Sequence, residues 1–559
     1  MTNGLELLDY SAIAIYLFLM AGIGIALGMV VKNVKDFFAG GNCVPWHLGA
    51  VSNYMTMMSA FVFVAHAGIA YKDGLVSMLI LWSAVPATVV ATLVFAKLWR
   101  RANLVTPVEY LEQRYNAPVR QISSWGGVLF RILDNMVRLY ALSIFVSGAL
   151  GCTMNQAIIA CGGIVVVYTM IGGLWAVVVT DAVQCAILMM ITIVMVPLAI
   201  NAAGGFGALR EALPDHFTWN NGPKGELWFL AVYYLMNLIK FNGNWAFIQR
   251  FYATKDERSA KKLGILSAIL FFVCPIIFML PAIAAAKLVP GLENGEEAYV
   301  NICKLLLPRG VMGLMIAAML AATMSTLSSE YNVTAGVLTK DIYQRLFRPD
   351  ASNREQMFVA RLMTLLLGIM IISGATLVRH MGGAFEANKM LMGLIGIPVV
   401  IPLIFGVIGR RFKPWGAVTS MITGVAAGFF LQKYSGLSWA TATFWQMVWC
   451  VAIMLLSCFG EIRDQDYINR VAKFFKLLDT PVTVDHSSDH GAHVVMRLFC
   501  LALGLSGVLF AVMSLFSLNE LSGKFTLSAG LICCCLAVVA ALNLQKVRTT
   551  GMSLPEEDK

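Results

Sequence analysis

Between residues 321 and 343 the chain reads AATMSTLSSEYNVTAGVLTKDIY. Ser325, Ser328 and Ser329 fall at i, i+3 and i+4, so on a helix they share one face. Ala322 and Thr326 join that face within about a turn. Hydroxyls and backbone carbonyls are the hard oxygen ligands that a dehydrated Na+ takes, and one carboxylate adds net charge. Softer metals want Cys or His, and the apolar segments offer no such cluster. The carboxylate candidate is Asp181, in GGLWAVVVTDAVQC. A lone serine in an apolar helix more often bonds back to its own backbone or lets two helices close up. A whole hydroxyl face, with an aspartate and interrupted helices nearby, points to an ion site instead.

Other ionisable residues interrupt apolar stretches, where each is a functional candidate because burying its charge is costly. Asp134 and Arg138 lie one turn apart in FRILDNMVRLYALS. They either neutralise each other as an i,i+4 pair or meet a solute. Lys240 sits in NLIKFNGNWAFIQR, among Asn237, Asn242 and Asn244, nearer the middle of its segment than a snorkelling lysine. Glu330 and Lys389 either pair or face water. Two stretches carry signs of a broken backbone: SNYMTMMSAF at 52–61, and KFNGNW at 240–245 with Gly243 as the unwinding point. Unwound carbonyls bind cations at the bilayer midplane, and such backbone is tolerated in a membrane only where it faces a cavity. His486, His490 and His493 in TVDHSSDHGAH are close enough to hold a metal, although a solvated linker is the plainer reading.

The elements that must position these residues follow from composition. Of 559 residues, 59% are hydrophobic and 13% charged, and the mean hydropathy is +0.75. A soluble domain carries about 25% charge. Apolar runs exceed the ~20 residues that cross a bilayer as helix, so the chain reads as an all-α polytopic membrane protein. A closed β-barrel is excluded, because its segments alternate in polarity and are about half as long. About fifteen transmembrane helices are expected between residues 9 and 545. The first lacks a basic n-region and a cleavage pattern, so it reads as a retained helix rather than a signal peptide. Twelve cysteines show no paired spacing, which argues against a disulfide framework. With the N-terminus outside and the C-terminus cytoplasmic, 26 of the 41 basic residues fall on inner loops and nine on outer ones. The net charge of +10 is thus a topology signal, and nucleic acid is not expected as a partner. The long inner loop 461–494 holds DYINRVAKFFKLL, which reads as an amphipathic helix on the membrane surface.

At these residues the chain resembles the sodium:solute symporter family, the relatives of bacterial proline, galactose and sialic acid symporters. The matching segments, in order, are DFFAGGNCVPW at 36–46, LVTPVEYLEQRY at 104–115, GGLWAVVVTDAVQ at 172–184, NWAFIQRFYATKD at 244–256, and AATMSTLSSEYN with LTKDIY within 321–343. The resemblance implies a LeuT-type fold with two inverted five-helix repeats, at 44–200 and 227–408. A leading transmembrane helix and first cytoplasmic loop (1–43) come before them, and an extracellular loop (201–226) lies between. Two further helices (409–460), the cytoplasmic loop 461–494 and two additional C-terminal helices with a tail (495–559) follow. It further implies a main Na+ site made by the carbonyls of Met55 and Met58 with Ala322, Ser325 and Thr326. A second site of some members falls on Asp181, Ser325, Ser328 and Ser329, so one or two Na+ are expected.

The family position that contacts solute falls on Asp134, where sialic acid carriers have an arginine. An aspartate there suggests a cationic or hydroxyl-rich solute, or a pairing with Arg138 or Lys240. Val62 and Leu81 stand where sugar carriers place a glutamine and a glutamate, so the ordinary hexose mode is not expected. His66, Asn242, Asn244, Trp245 and Phe247 complete the expected pocket, an aromatic with a few polar groups. The expected activity is Na+-coupled symport of a small polar organic solute (a sugar derivative, sugar acid or amino acid) by alternating access. The expected location is a multi-pass place in the cell membrane, the bacterial inner membrane, with Na+, the solute and the lipid bilayer as partners and no obligatory protein partner. The rival readings are a transporter-like receptor that signals through a separate partner, a channel, and a membrane enzyme. The chain ends about 14 residues past its last span, which argues against a fused output domain. No filter repeat, nucleophile or phosphate-cradle motif favours the other two.

Overall fold

A chain surrounded by hydrocarbon must satisfy its backbone within its own segments, and this one does so with helices. In the computed structural model, residues 6–28, 34–308, 310–460, 464–482 and 489–550 are described. Among them, strand pairing is confined to an isolated bridge between Val44 and Thr254. The group of His486, His490 and His493 lies outside the described side chains.

Among the described residues, eleven helices are long and apolar enough to cross a membrane, or twelve if the bent pair Ala117–Leu150 and Met154–Met170 counts as one span. The expected fifteen divide the chain differently. They count the two arms of that pair separately, and they include two interrupted segments, 46–73 and 227–253. The two arms meet at 117°. Tyr168 and Thr180 then hydrogen-bond through their hydroxyls. Twelve residues of straight helix would hold them ~18 Å apart, so the Met154–Ala202 helix is bent between them.

The Val311–Val337 helix is the axis of the molecule, with every residue buried. Its small side chains let neighbours approach closely, the usual way in which helices associate in a membrane. At Gly313 a Cβ would lie 2.4 Å from the backbone oxygen of Asp9. That approach lets the Asp9 carboxylate accept the Gly310 and Gly313 amides at 2.9 and 2.7 Å. An acid is well placed there, beside the free amides and positive dipole of a helix N-terminus.

Loop contacts sort onto two opposite ends. At one end, Leu75 donates its N–H to His216 (2.8 Å), and the Ala384 amide bonds Glu296 (2.7 Å). At the other, Val44 bonds Ala253 (3.0 Å), Arg101 pairs with Glu257 (2.8 Å) and Arg120 with Asp341 (2.5 Å). Gln465–Asp479 forms the expected amphipathic helix. Its apolar stripe of Tyr467, Val471, Phe474 and Leu478 is nevertheless buried in the described structure, with Phe474 stacked on Tyr110. The stripe therefore seals the basic end of the protein rather than facing lipid. The last two helices, Asp489–Ser514 and Leu521–Thr550, pack on each other and on the 174–202 span.

Candidate functional site

The first interrupted segment stops at Met55 and resumes at Ala60. Hydroxyls take over the missing ladder, as Ser and Thr do where helix and side chain compete for the backbone. Thr56 Oγ1 donates to the Ser52 carbonyl (2.8 Å), Ser59 Oγ accepts the Phe61 amide (3.3 Å), and the Ala60 amide crosses to Thr323 Oγ1 on the axial helix (2.9 Å). The break is thus fastened against the hydroxyl face. There, Thr326 Oγ1 lies 3.1 Å from the Met55 carbonyl oxygen, 3.1 Å from that of Met58 and 3.2 Å from that of Ala322. A hydroxyl carries one proton, so it satisfies one of the three acceptors. Met55 also receives the Met58 amide (3.0 Å). Acceptors from two helices outnumber donors here, in a place fully closed to solvent. That is the chemistry of a hard-cation site.

A second cluster adjoins it through Ser325. Ser325 Oγ donates to Asp181 Oδ1 (2.6 Å) and Ser52 Oγ to Asp181 Oδ2 (2.5 Å). Sequence reasoning missed the third partner. Arg250 places Nη2 3.6 Å from Asp181 Oδ2, while its Nε donates to Ser52 (2.9 Å) and its Nη2 to Ser329 (2.6 Å). Ser328 Oγ bonds back to the Ser325 carbonyl (3.2 Å) and does not reach the carboxylate. Asp181, Ser325 and Ser329 therefore come together, with a guanidinium already among them.

A small cavity of about 60 Å³ lies beyond the break, and Met57 and Met58 line it. Val62 and His66, on a wide turn of the resumed helix, also face it, as do Leu81, Arg138 and Lys240. Its polar lining includes Asn237 and Asn388, and its aromatic lining Tyr233, Phe241 and Phe271. Among these, sequence reasoning did not single out Asn388 or the three aromatics.

Asp134 stands behind that lining. Its Oδ2 accepts Arg138 Nε (3.0 Å) and its Oδ1 accepts Asn388 Nδ2 (2.5 Å). Asn242, Asn244, Trp245 and Phe247 do not line the cavity; they hold the second interrupted segment together. Asn242 donates to the Leu238 carbonyl (2.7 Å), and Asn244 caps the Trp245–Ala253 helix through the Phe247 amide (3.1 Å). Trp245 lies under the Arg131 guanidinium at 4.4 Å, and Phe247 packs on Phe241 at 5.1 Å. At Gly243 the break packs closely on Val400, whose side chain a Cβ would meet at 2.2 Å. Of the two residues left open between pairing and water, Glu330 pairs with buried Arg131 (2.6 Å) and Lys389 with Glu386 (2.5 Å).

The model of the sodium:solute symporter family matches residues 37–424. A sodium/glucose cotransporter of Vibrio parahaemolyticus is 25% identical, over 77% of this chain and 86% of its own. A sodium/sialic acid symporter of Proteus mirabilis is 24% identical, over 75% of this chain and 88% of its own. The sodium/myo-inositol cotransporter 2 of Sus scrofa is 26% identical, over 76% and 69%. Among solved structures, a substrate-bound, outward-open Na+-coupled sialic acid symporter superposes with a TM-score of 0.73 at 22% identity. That match covers 81% of this chain and 97% of the symporter, so the two share a fold.

Proposed function

We propose that this chain, which belongs to the sodium:solute symporter family, carries Na+ and a small polar organic solute together across the membrane by alternating access. Its relatives are transporters rather than enzymes, and its apolar helices make it a multi-pass membrane protein. The observation that carries the reading is the convergence on Thr326 of the Met55, Met58 and Ala322 carbonyls, from two helices. An ion bound there bridges an interrupted segment to the axial helix. It therefore has different affinities in conformations that bring the two together or apart, and differential affinity is the only means by which an ion biases an equilibrium. The membrane potential adds ~2.3 kcal/mol per charge for each 100 mV.

The finer architecture belongs to the same proposal. The repeats are taken as 44–200 and 227–408, fifteen spans in all. In support, each repeat opens on an interrupted segment, 46–73 in the first and 227–253 in the second. The basic end that gathers Arg101, Arg114 and Arg120 is taken as cytoplasmic, which puts the N-terminus outside and the C-terminus inside, in a bacterial inner membrane. The coupling ion is held by Met55, Met58, Ala322, Ser325 and Thr326. A second ion at Asp181, Ser325, Ser328 and Ser329 has to displace Arg250 from Ser329 and Asp181, so one Na+ per cycle is favoured. Val62, His66, Arg138 and Lys240 contact the solute directly, with Asp134 positioning Arg138.

The test is uptake into proteoliposomes under an imposed Na+ gradient, for solutes found by Na+-dependent thermal stabilisation. Accumulation above the equilibrium level that collapses when Na+ is equal on both sides supports symport. Binding without accumulation refutes it.

A further inference from the structure

We infer that the solute carried in this cavity bears a carboxylate, and that Lys240 receives it with Arg138 as second donor. This rests on the symport reading for what the cavity does, and on a count of charges for what it binds. Three buried acids lie around the cavity and the ion site, and each is already matched. Asp134 is held by Arg138 and Asn388, Glu330 by Arg131 and Asn244, and Asp181 by Arg250, Ser52 and Ser325. Lys240 is the surplus cation. Among the described residues it has no carboxylate within 4.0 Å and makes no hydrogen bond, and neither Asp nor Glu lines the cavity it faces.

A net positive charge beside a membrane-embedded break is costly, and an anionic solute removes that cost. The other lining groups suit a carboxylate as well. Arg138 uses Nε and Nη2 on Asp134 and keeps Nη1 free of hydrogen bonds. The Nδ1 of His66 is buried without a partner, and Asn237 and Asn388 also face the space. The aspartate that suggested a cationic solute is thus spent on orienting Arg138.

The two sites also meet at one residue. Met58 offers its carbonyl to the ion site and also lines the cavity. A Na+ at Thr326 therefore adds positive charge one residue from the solute, and an anion adds the opposite charge beside the ion. Each raises the affinity for the other, as reciprocal coupling requires.

The test uses the purified full-length chain and thermal unfolding in NaCl and in KCl. The probes are matched pairs that differ in the carboxylate: glucuronate and glucose, galacturonate and galactose, N-acetylneuraminate and its methyl ester, lactate and lactamide. The expected result is that at least one acid stabilises the protein in NaCl while its neutral partner does not. Lys240→Gln then weakens that acid at least about tenfold, and Lys240→Arg by no more than about threefold. Both variants are read in preparations that keep the stabilisation by Na+ alone, since Lys240 is no part of the ion site. The inference is overturned if no acid stabilises, if a neutral partner does so equally, or if Lys240→Gln retains the acid's affinity. An acid that stabilises equally in KCl and NaCl sinks the Na+-coupled reading and leaves the charge assignment standing. A neutral sugar that stabilises in NaCl alone does the reverse.

Discussion

Arg250 holds its Nη2 3.6 Å from Asp181 Oδ2, with both side chains fully sealed from solvent. The pair ties the second interrupted segment to the 174–202 span, and Ser52 lies between them as a bridge from the first. Removing one partner leaves a buried charge uncompensated, which costs about 3–5 kcal/mol. Asp181→Asn is therefore expected to lower the unfolding temperature markedly. Asp181→Asn combined with Arg250→Met is expected to recover part of the loss, because no buried charge is then left uncompensated. Calorimetry of the single and double variants in one detergent decides the point. Equal stability of Asp181→Asn and wild type would show that the pair carries little of the fold.

In the proposed ion site Met55 is assigned through its carbonyl alone and Ser325 through its side chain, whose hydroxyl donates to Asp181. Met55→Leu is expected to keep the half-saturating Na+ concentration within about threefold. Ser325→Ala is expected to raise it at least tenfold, or ~1.4 kcal/mol. Sodium titrations of solute uptake give both numbers. A large effect of Met55→Leu with none from Ser325→Ala would reverse the assignment.

Two glycines test how the axial helix is packed. A Cβ at Gly313 would strike Asp9 backbone atoms at 2.4–2.8 Å, and backbone cannot rotate away. Gly313→Ala is expected to destabilise by about 1–3 kcal/mol, as overpacking does. At Gly163, in the 154–170 arm, nothing lies within 4 Å of a built Cβ. Gly163→Ala is expected to be neutral or stabilising by about 0.5–1 kcal/mol, the helix propensity difference. Thermal unfolding of the two variants in parallel separates a steric cost from a general intolerance of substitution.

The guanidinium at Asp181 also bears on stoichiometry. With Arg250 in place, the Na+ dependence of uptake is expected to have a Hill coefficient near one, and reversal potentials are expected to fit a single coupled ion. A coefficient near two would show that Arg250 leaves Ser329 during the cycle.

Some of this was legible in the residues and some was not. The hydroxyl face at 325–329 and the break at 52–61 are local patterns, spacing on one helix and a cluster of Ser, Thr and Asn, and the structure places them against each other. Arg250 escaped because its partners lie 69 and 198 residues away in the chain, on Asp181 and Ser52, and because an arginine near a segment end reads as a topology signal. Asn388 escaped for the same reason, since its bond to Asp134 spans 254 residues. Asn242 and Asn244 drew attention as polar groups in an apolar run. Side-chain amides beside a helix break serve first to satisfy loose backbone, and here both do so. The fifteen-span count rests on hydropathy runs, which do not distinguish a crossing helix from an interrupted segment or the two arms of a bend.

The central claim is that one cation binds where the Met55, Met58 and Ala322 carbonyls face the Thr326 hydroxyl. Equilibrium binding of radiolabelled Na+ to the purified protein, without solute, measures this directly. Wild type and Thr326→Ser are expected to bind saturably, with close to one ion per chain. Thr326→Val, which keeps the shape and loses the oxygen, is expected to bind at least about tenfold more weakly. Undiminished binding by Thr326→Val, in protein that unfolds at the wild-type temperature, would contradict the account.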